Sequence, residues 1–239
     1  MQEANGLTTR PSLILIPGFL NDGDLWRDQM APLADVASCL IADITQAETI
    51  EDMADAVLAV APERFALAGF SLGGFVAQEI LRRASNRVSR LALLNTSWRP
   101  DSPRRKKERQ RLNMAASQPG RFVGVGQRLL ESYLHPSNLA DKAIADRIQT
   151  MAARLGPVVM RRQSGIERKD GRAVLRTFVG PCLILCGEFD RVTDVAQHRE
   201  MAEMVRGSTL LVVPGAGHMT PIEQPAVVTR AMLRWLADR

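Results

Sequence analysis

Cysteine and histidine are scarce in this 239-residue sequence, at three each, and aromatic residues make up only 5% of it. Cys39, Cys182 and Cys186 all fall in strand-like apolar runs. Residues four apart on one strand lie about 13 Å from each other, which puts a disulfide between Cys182 and Cys186 out of reach. No Cys-x-x-Cys pair and no His-rich segment accompanies them. They read as buried free thiols, with no ligand set for a metal or a redox cofactor. No stretch approaches the roughly 18 apolar residues of a membrane span. The first twelve residues hold no apolar run of signal-peptide length, so the expectation is a cytoplasmic chain with no membrane partner. Repeats and linkers are also missing, and a 46% hydrophobic content is enough for one large core.

What is present alternates. Strand-like runs lie near residues 12–16, 38–43, 64–69, 88–95, 181–186 and 208–213, separated by helix-like stretches. That pattern predicts an α/β fold with a doubly wound, mostly parallel sheet. One interruption is long: residues 98–177 form a mostly helix-like insertion, leaving 1–97 and 178–239 as the core. The insertion holds 18 Lys or Arg against 7 Asp or Glu, a net of +11, so the rest of a chain with net charge +5 carries −6. Its densest part runs from Arg104 to Arg111. Such a stretch suits a solvated helix face, an anionic substrate or an acidic carrier protein. Nucleic acid fits poorly, because no binding module accompanies the charge and few aromatics lie nearby to stack bases.

The most informative segment is Gly69-Phe70-Ser71-Leu72-Gly73-Gly74, set between the apolar run ending at Ala68 and a stretch with helical spacing of Phe75, Val76, Glu79, Ile80 and Arg83. Strand, sharp turn and helix make this a nucleophile elbow. Side chains two residues before or after the serine would collide in so tight a turn, and Gly69 and Gly73 relieve that crowding. Ser71 then stands at a helix N-terminus, where the unpaired Leu72 amide and the helix dipole favour a developing oxyanion.

A serine hydroxyl needs a base, and three histidines make the search short. His218 sits in the Gly- and Pro-punctuated loop Val213 to Pro221, after an apolar run. His198 lies among Gln197, Arg199 and Glu200 in a helix-like stretch and reads as a solvated surface residue. His135 precedes Pro136 and reads as a turn or cap residue. The base in turn needs a carboxylate. Asp190 follows the continuously apolar run Cys182 to Cys186, the mark of a parallel strand covered on both faces, at the sheet edge where ligands gather. Glu188 and Asp194 compete for the role; Asp194 also suits the first turn of the next helix.

With these segments the sequence resembles the α/β-hydrolase-fold serine hydrolases over nearly its whole length. The order Ser71, Asp190, His218 is that family's nucleophile, acid, histidine order. Leu13-Ile14-Leu15-Ile16-Pro17-Gly18-Phe19-Leu20 resembles its oxyanion-loop segment, with Pro17 where the family usually has histidine. By position the resemblance implies backbone donors from Phe19 and Leu72, and a cap or lid formed by residues 98–177. Trp26 resembles a common core aromatic. Apolar cap residues such as Met114, Val123, Leu129, Tyr133 and Val158 should attach the cap to the body or roof the pocket. Trp98, Leu20 and Met219 are the candidate substrate contacts, Trp98 being equally suited to packing at the cap hinge.

The resulting expectation is a cofactor-independent serine hydrolase with Ser71, Asp190 and His218 as catalytic residues. It would act on a carboxylic ester of a small to medium acyl or alkyl substrate, anionic or carrier-bound in one version. Thioester, enol-lactone and carbon–carbon bond hydrolysis use the same residues. A ligand-binding protein on a hydrolase scaffold is the reading from another class. Oligomeric state is left open.

Overall fold

The computed structural model describes residues 10–117 and 122–238. Those parts of the expected core and insertion that fall on residues 1–9, 118–121 and 239 lie outside the description. The chain runs through β1 (Ser12–Ile16), α1 (Arg27–Ala34), β2 (Ser38–Ile41), α2 (Ile50–Val60), β3 (Phe65–Phe70), α3 (Leu72–Ala84) and β4 (Val88–Leu94). Four helices follow before the next strand: α4 (Pro103–Ala116), α5 (Gln127–Tyr133), α6 (Lys142–Gly165) and α7 (Arg172–Thr177). The sheet resumes with β5 (Cys182–Gly187), α8 (Val195–Met204) and β6 (Thr209–Val213), and the chain closes with α9 (Thr220–Glu223) and α10 (Pro225–Ala237).

The six strands lie on the six apolar runs of the sequence and form one sheet in the order β2-β1-β3-β4-β5-β6. All five pairings are parallel. Every residue of β3 and β5 is buried, whereas the edge strands β2 and β6 are only partly covered. That division follows from the helices packed on both faces. Alternate residues build two cores. Leu13, Leu15, Ala68, Leu94 and Leu185 join Trp26 on the face covered by α1 and α10. Ile14, Ile16, Leu67, Leu93 and Ile184 join Val57, Val76 and Met201 on the face covered by α2, α3 and α8.

Because β2 and β3 flank β1 on opposite sides, the strand order reverses between β1 and β3. Crevices at such a switch point, at the carboxyl ends of the strands, are where open α/β sheets bind ligands. The loops after β1 and β3 carry Phe19 and Ser71.

The helices start where the local chemistry directs. Thr49 caps α2 by accepting from the Asp52 N–H, Asp141 caps α6, and Asp194 caps α8 by accepting from Gln197 N–H at 2.9 Å. The two halves of α6 meet at Gly156, with φ of 75°, followed by Pro157, a kink both residue types favour. No helix among the described residues is long and apolar enough to cross a membrane. Met114, Val123 and Val158 are exposed and do not join the core. Cys39, on the edge strand β2, is only half-buried, and Cys182 and Cys186 are buried as expected. Burial pushes both buried thiols up to about 12, leaving them protonated and inert near neutral pH.

Candidate active site

Ser71 forms the turn between β3 and α3 with φ of 50° and ψ of −111°. A non-glycine residue so far into positive φ is strained, and strain of this kind persists only where its surroundings over-determine it. Here they do. The Ser71 N–H donates to the Leu94 carbonyl at 2.9 Å, and its own carbonyl accepts from Gly74 N–H at 3.0 Å and from the Thr96 hydroxyl at 2.7 Å. A Cβ on Gly69 would overlap the Gly73 carbonyl, and one on Gly73 would overlap the carbonyl oxygens of Ile16 and Pro17.

The structure brings His218 and Asp190 to this turn across 147 and 119 residues of sequence. His218 Nε2 lies 3.0 Å from Ser71 Oγ, and His218 Nδ1 lies 2.9 and 3.0 Å from the two Asp190 carboxylate oxygens. The imidazole packs between the rings of Phe70 and Tyr133, at 5.4 and 5.5 Å between centroids. Asp190 is buried, and Oδ1 accepts from the N–H groups of Val192 and Thr193 at 2.8 and 2.9 Å. Its Oδ2 accepts from Asn95 Nδ2 and the Thr193 hydroxyl, both at 2.9 Å. Burial works against the charged form, but the His218 imidazole and these donors outweigh it and hold the carboxyl well below the usual range. The competing acids are occupied elsewhere: Glu188 is exposed beside Gly215, and Asp194 caps α8.

The loop after β1 is closed by a hydrogen bond from Asn21 N–H to the Gly18 carbonyl at 3.2 Å, with Leu20 at φ of 52°. A turn of this kind leaves the amides of its two central residues unused. That of Leu20 donates to Gln163 Oε1 of α6 at 2.8 Å; no hydrogen bond among the described residues uses that of Phe19. Leu72 opens α3, where the first N–H groups have no partner within the helix.

A cavity of about 930 Å³ holds Ser71 and His218 together with Phe19, Leu72, Phe75 and Tyr133. Trp98, Leu20 and Met219 do not line it. All three are buried, Leu20 and Met219 in the core on the α1 and α10 face and Trp98 on the opposite face, stacked beneath Arg99 and Arg172. Their side chains are packed into the two cores.

Several residues that support the site were not visible as such in the sequence. Asn95, with φ of 46°, bridges Asp190 Oδ2 and the Gly217 carbonyl and accepts from the Thr220 hydroxyl. His198 corrects the surface reading: it is fully buried, accepts from Thr96 N–H at 3.1 Å through Nε2, and donates from Nδ1 to the Asp194 carbonyl at 2.9 Å. Burial lowers its pKa. The signal was there, since 198, 201 and 205 share one helical face with Met201 and Val205. His135 caps a short turn, its Nδ1 accepting from Ser137 N–H.

Fold and site together define a class of protein in which a strained serine turn stands at the switch point of a parallel sheet. The model of the alpha/beta hydrolase family matches residues 13–231, and the chain belongs to that family. It is similar to a thermophilic esterase from Thermogutta terrifontis, at 28% identity and a TM-score of 0.83 over 96% of this chain and 90% of that one. It is 29% identical over 189 residues to BpoC of Mycobacterium tuberculosis, which carries the name of a non-heme bromoperoxidase, across 76% of this chain and 70% of that protein. It is 26% identical over 251 residues to the pimeloyl-acyl-carrier-protein methyl ester esterase of Pectobacterium carotovorum, across 92% of each. The family supports hydrolase activity; the variety of these names assigns no substrate.

Proposed function

We propose that the protein is a serine hydrolase that cleaves a carboxylic ester through an acyl-enzyme. The hydrogen-bonded series from Ser71 Oγ through the His218 imidazole to Asp190, at the wall of the cavity, carries this reading. His218 Nε2 takes the Ser71 proton as Oγ attacks the carbonyl carbon. The tetrahedral oxyanion is received by the amides of Phe19 and Leu72. On collapse, His218 protonates the departing alcohol, leaving Ser71 acylated. Water then enters and gives a proton to His218 as its oxygen attacks the acyl carbon; collapse breaks the bond to Ser71 Oγ, which takes that proton back from His218 as the acid leaves, while Asp190 keeps the proton-bearing Nδ1 directed away from Ser71 throughout. In this reading residues 98–177 act as the lid, and the cavity has room for a small to medium acyl group together with its leaving alcohol.

A second reading, a carrier-bound ester, has two observations in its favour. The relative from Pectobacterium carotovorum bears the name of an esterase for such a substrate, and α4 here is strongly basic.

The test is hydrolysis of p-nitrophenyl esters from acetate to decanoate by the native protein and by Ser71→Ala. A loss in kcat of about 10⁴-fold or more is expected, with acyl-Ser71 trapped by rapid acid quench and seen by mass spectrometry. Turnover unchanged in Ser71→Ala would overturn the reading.

A further inference from the structure

The cavity that holds Ser71 is lined by eight arginines against two aspartates and one glutamate. Five of the eight are paired with carboxylates within the protein. Arg99 pairs with Glu200, Arg104 and Arg105 share Glu108, and Arg109 and Arg168 share the buried Asp101. The remaining acid, Asp194, is engaged in capping α8. Arg111, Arg128 and Arg191 are left exposed, and among the described residues none of them has an ion-pair partner. They come from three separate places: Arg111 from α4, Arg128 from α5, and Arg191 from the loop directly after Asp190. The Arg191 guanidinium stacks on the Phe189 ring at 4.5 Å from its centroid.

A solvated helix face accounts for Arg111 or for Arg128 taken singly. It does not account for three segments each delivering an unpaired guanidinium to one cavity, where like charges repel unless something anionic joins them. We infer that the substrate carries an oxyanion, a carboxylate or a phosphate, away from its scissile ester, and that Arg111, Arg128 and Arg191 receive it. Guanidinium forks suit that role because they bind carboxylate and phosphate oxygens in pairs. Phe19, Leu72 and Phe75 offer an apolar stretch beside Ser71 for the part between. This inference rests on Ser71 being the nucleophile.

The experiment compares kcat/KM for p-nitrophenyl esters of hexanoic acid, adipic acid (as the monoester) and 6-phosphonohexanoic acid, with homologues two carbons shorter and longer. An anionic ester should exceed its neutral match by about tenfold or more at one length, and the preferred anion identifies the source of the charge. That ratio should fall toward one in the triple variant R111Q/R128Q/R191Q and at 0.5 M salt, to about a 4 Å screening length. It should persist in Arg230→Gln, which removes the same charge from α10, off the cavity. A ratio at or below one at every length, with turnover still dependent on Ser71, overturns the inference and leaves the serine mechanism standing. If Ser71→Ala shows that the serine reading itself is wrong, calorimetry still decides the anion site. Monomethyl adipate should then bind the native protein more tightly than methyl hexanoate and lose that advantage in the triple variant; equal affinities overturn the inference.

Discussion

The main-chain N–H of His218 donates to the carbonyl oxygen of Tyr133 at 2.5 Å, so the last turn of α5 holds the imidazole loop directly. The approach is close enough that a Cβ on Gly217 would overlap the same carbonyl. Glu223, on α9, clamps the two segments together from the other side. Its Oε1 accepts from the N–H groups of Gly217 and Met219 at 2.9 and 3.1 Å, and its Oε2 accepts from His135 N–H and Asn138 Nδ2 at 2.7 and 2.9 Å. One buried carboxylate therefore satisfies four donors, and the position of His218 depends on helices inserted between β4 and β5.

Glu223→Ala should accordingly cost about 3–5 kcal/mol in stability, because it leaves buried donors without an acceptor. It should also lower kcat more than it raises KM, since His218 loses its support. Urea unfolding and steady-state kinetics on the same preparation check both. A variant of native stability and native kcat would show that the Tyr133 contact alone fixes the loop.

The loop after β1 is tied to α6 at its turn by Leu20 N–H, which donates to Gln163 Oε1, and further along by Arg154, which pairs with Asp22. Pro17 occupies the place where histidine is usual in sequences of this type, so support for the turn must come from elsewhere, and α6 supplies it. Gln163→Leu keeps the volume and removes the acceptor. We expect a loss of about 1–3 kcal/mol and a fall in kcat of about tenfold with KM little changed, if the Phe19 amide serves the oxyanion. Wild-type kcat in that variant would detach the Phe19 amide from catalysis.

Much of this was legible in the sequence because the relevant signals are local. Each strand is a contiguous apolar run, and the turn at Ser71 is written within six residues. Asp190 and His218 could be picked out because each follows a strand at the sheet edge. The supporting contacts were not legible, because they join residues that only the packed fold makes neighbours: Leu20 and Gln163 are 143 positions apart, and Asn95 and Asp190 are 95 apart. Asn95 could have been flagged by the rule that selected Asp190, since it too is polar and directly follows an apolar run. Leu20 and Met219 directly follow Phe19 and His218 in sequence, and Trp98 follows the end of β4 by four residues. Adjacent residues point in different directions, and these three point into the cores.

Gly73→Ala tests the turn itself. The added methyl would strike the carbonyl oxygens of Ile16 and Pro17, which are backbone atoms of β1 and its loop and have no rotamer by which to move aside. Relief requires separating α3 from β1 in the middle of the sheet. We expect a loss of at least about 3 kcal/mol, read as a lower urea midpoint, or failure to accumulate folded protein. A midpoint within experimental error of wild type would mean that β1 and α3 are not packed as described.

His198 makes stability depend on pH in a defined direction. Its Nε2 accepts from Thr96 N–H, whose residue in turn donates its hydroxyl to the Ser71 carbonyl, so a proton on Nε2 would set two N–H groups against each other. Burial, aided by the nearby His218, lowers its pKa against the opposing pull of the Asp194 carbonyl and of the Asp190 and Asp194 charges. In the unfolded chain the same imidazole titrates near about 6.5. As pH falls, the unfolded state takes the proton first. The contribution of His198 is therefore complete above about pH 6.5 and declines as pH drops below that value toward the folded-state pKa, by at most about 1.4 kcal/mol per pH unit. Gln in its place keeps an acceptor for Thr96 and cannot titrate. Urea midpoints measured from pH 8 to pH 5 should fall more steeply for the native protein than for His198→Gln, with the two curves separating below pH 6.5. Parallel curves across that range would mean that His198 is protonated as readily in the folded chain as in the unfolded one.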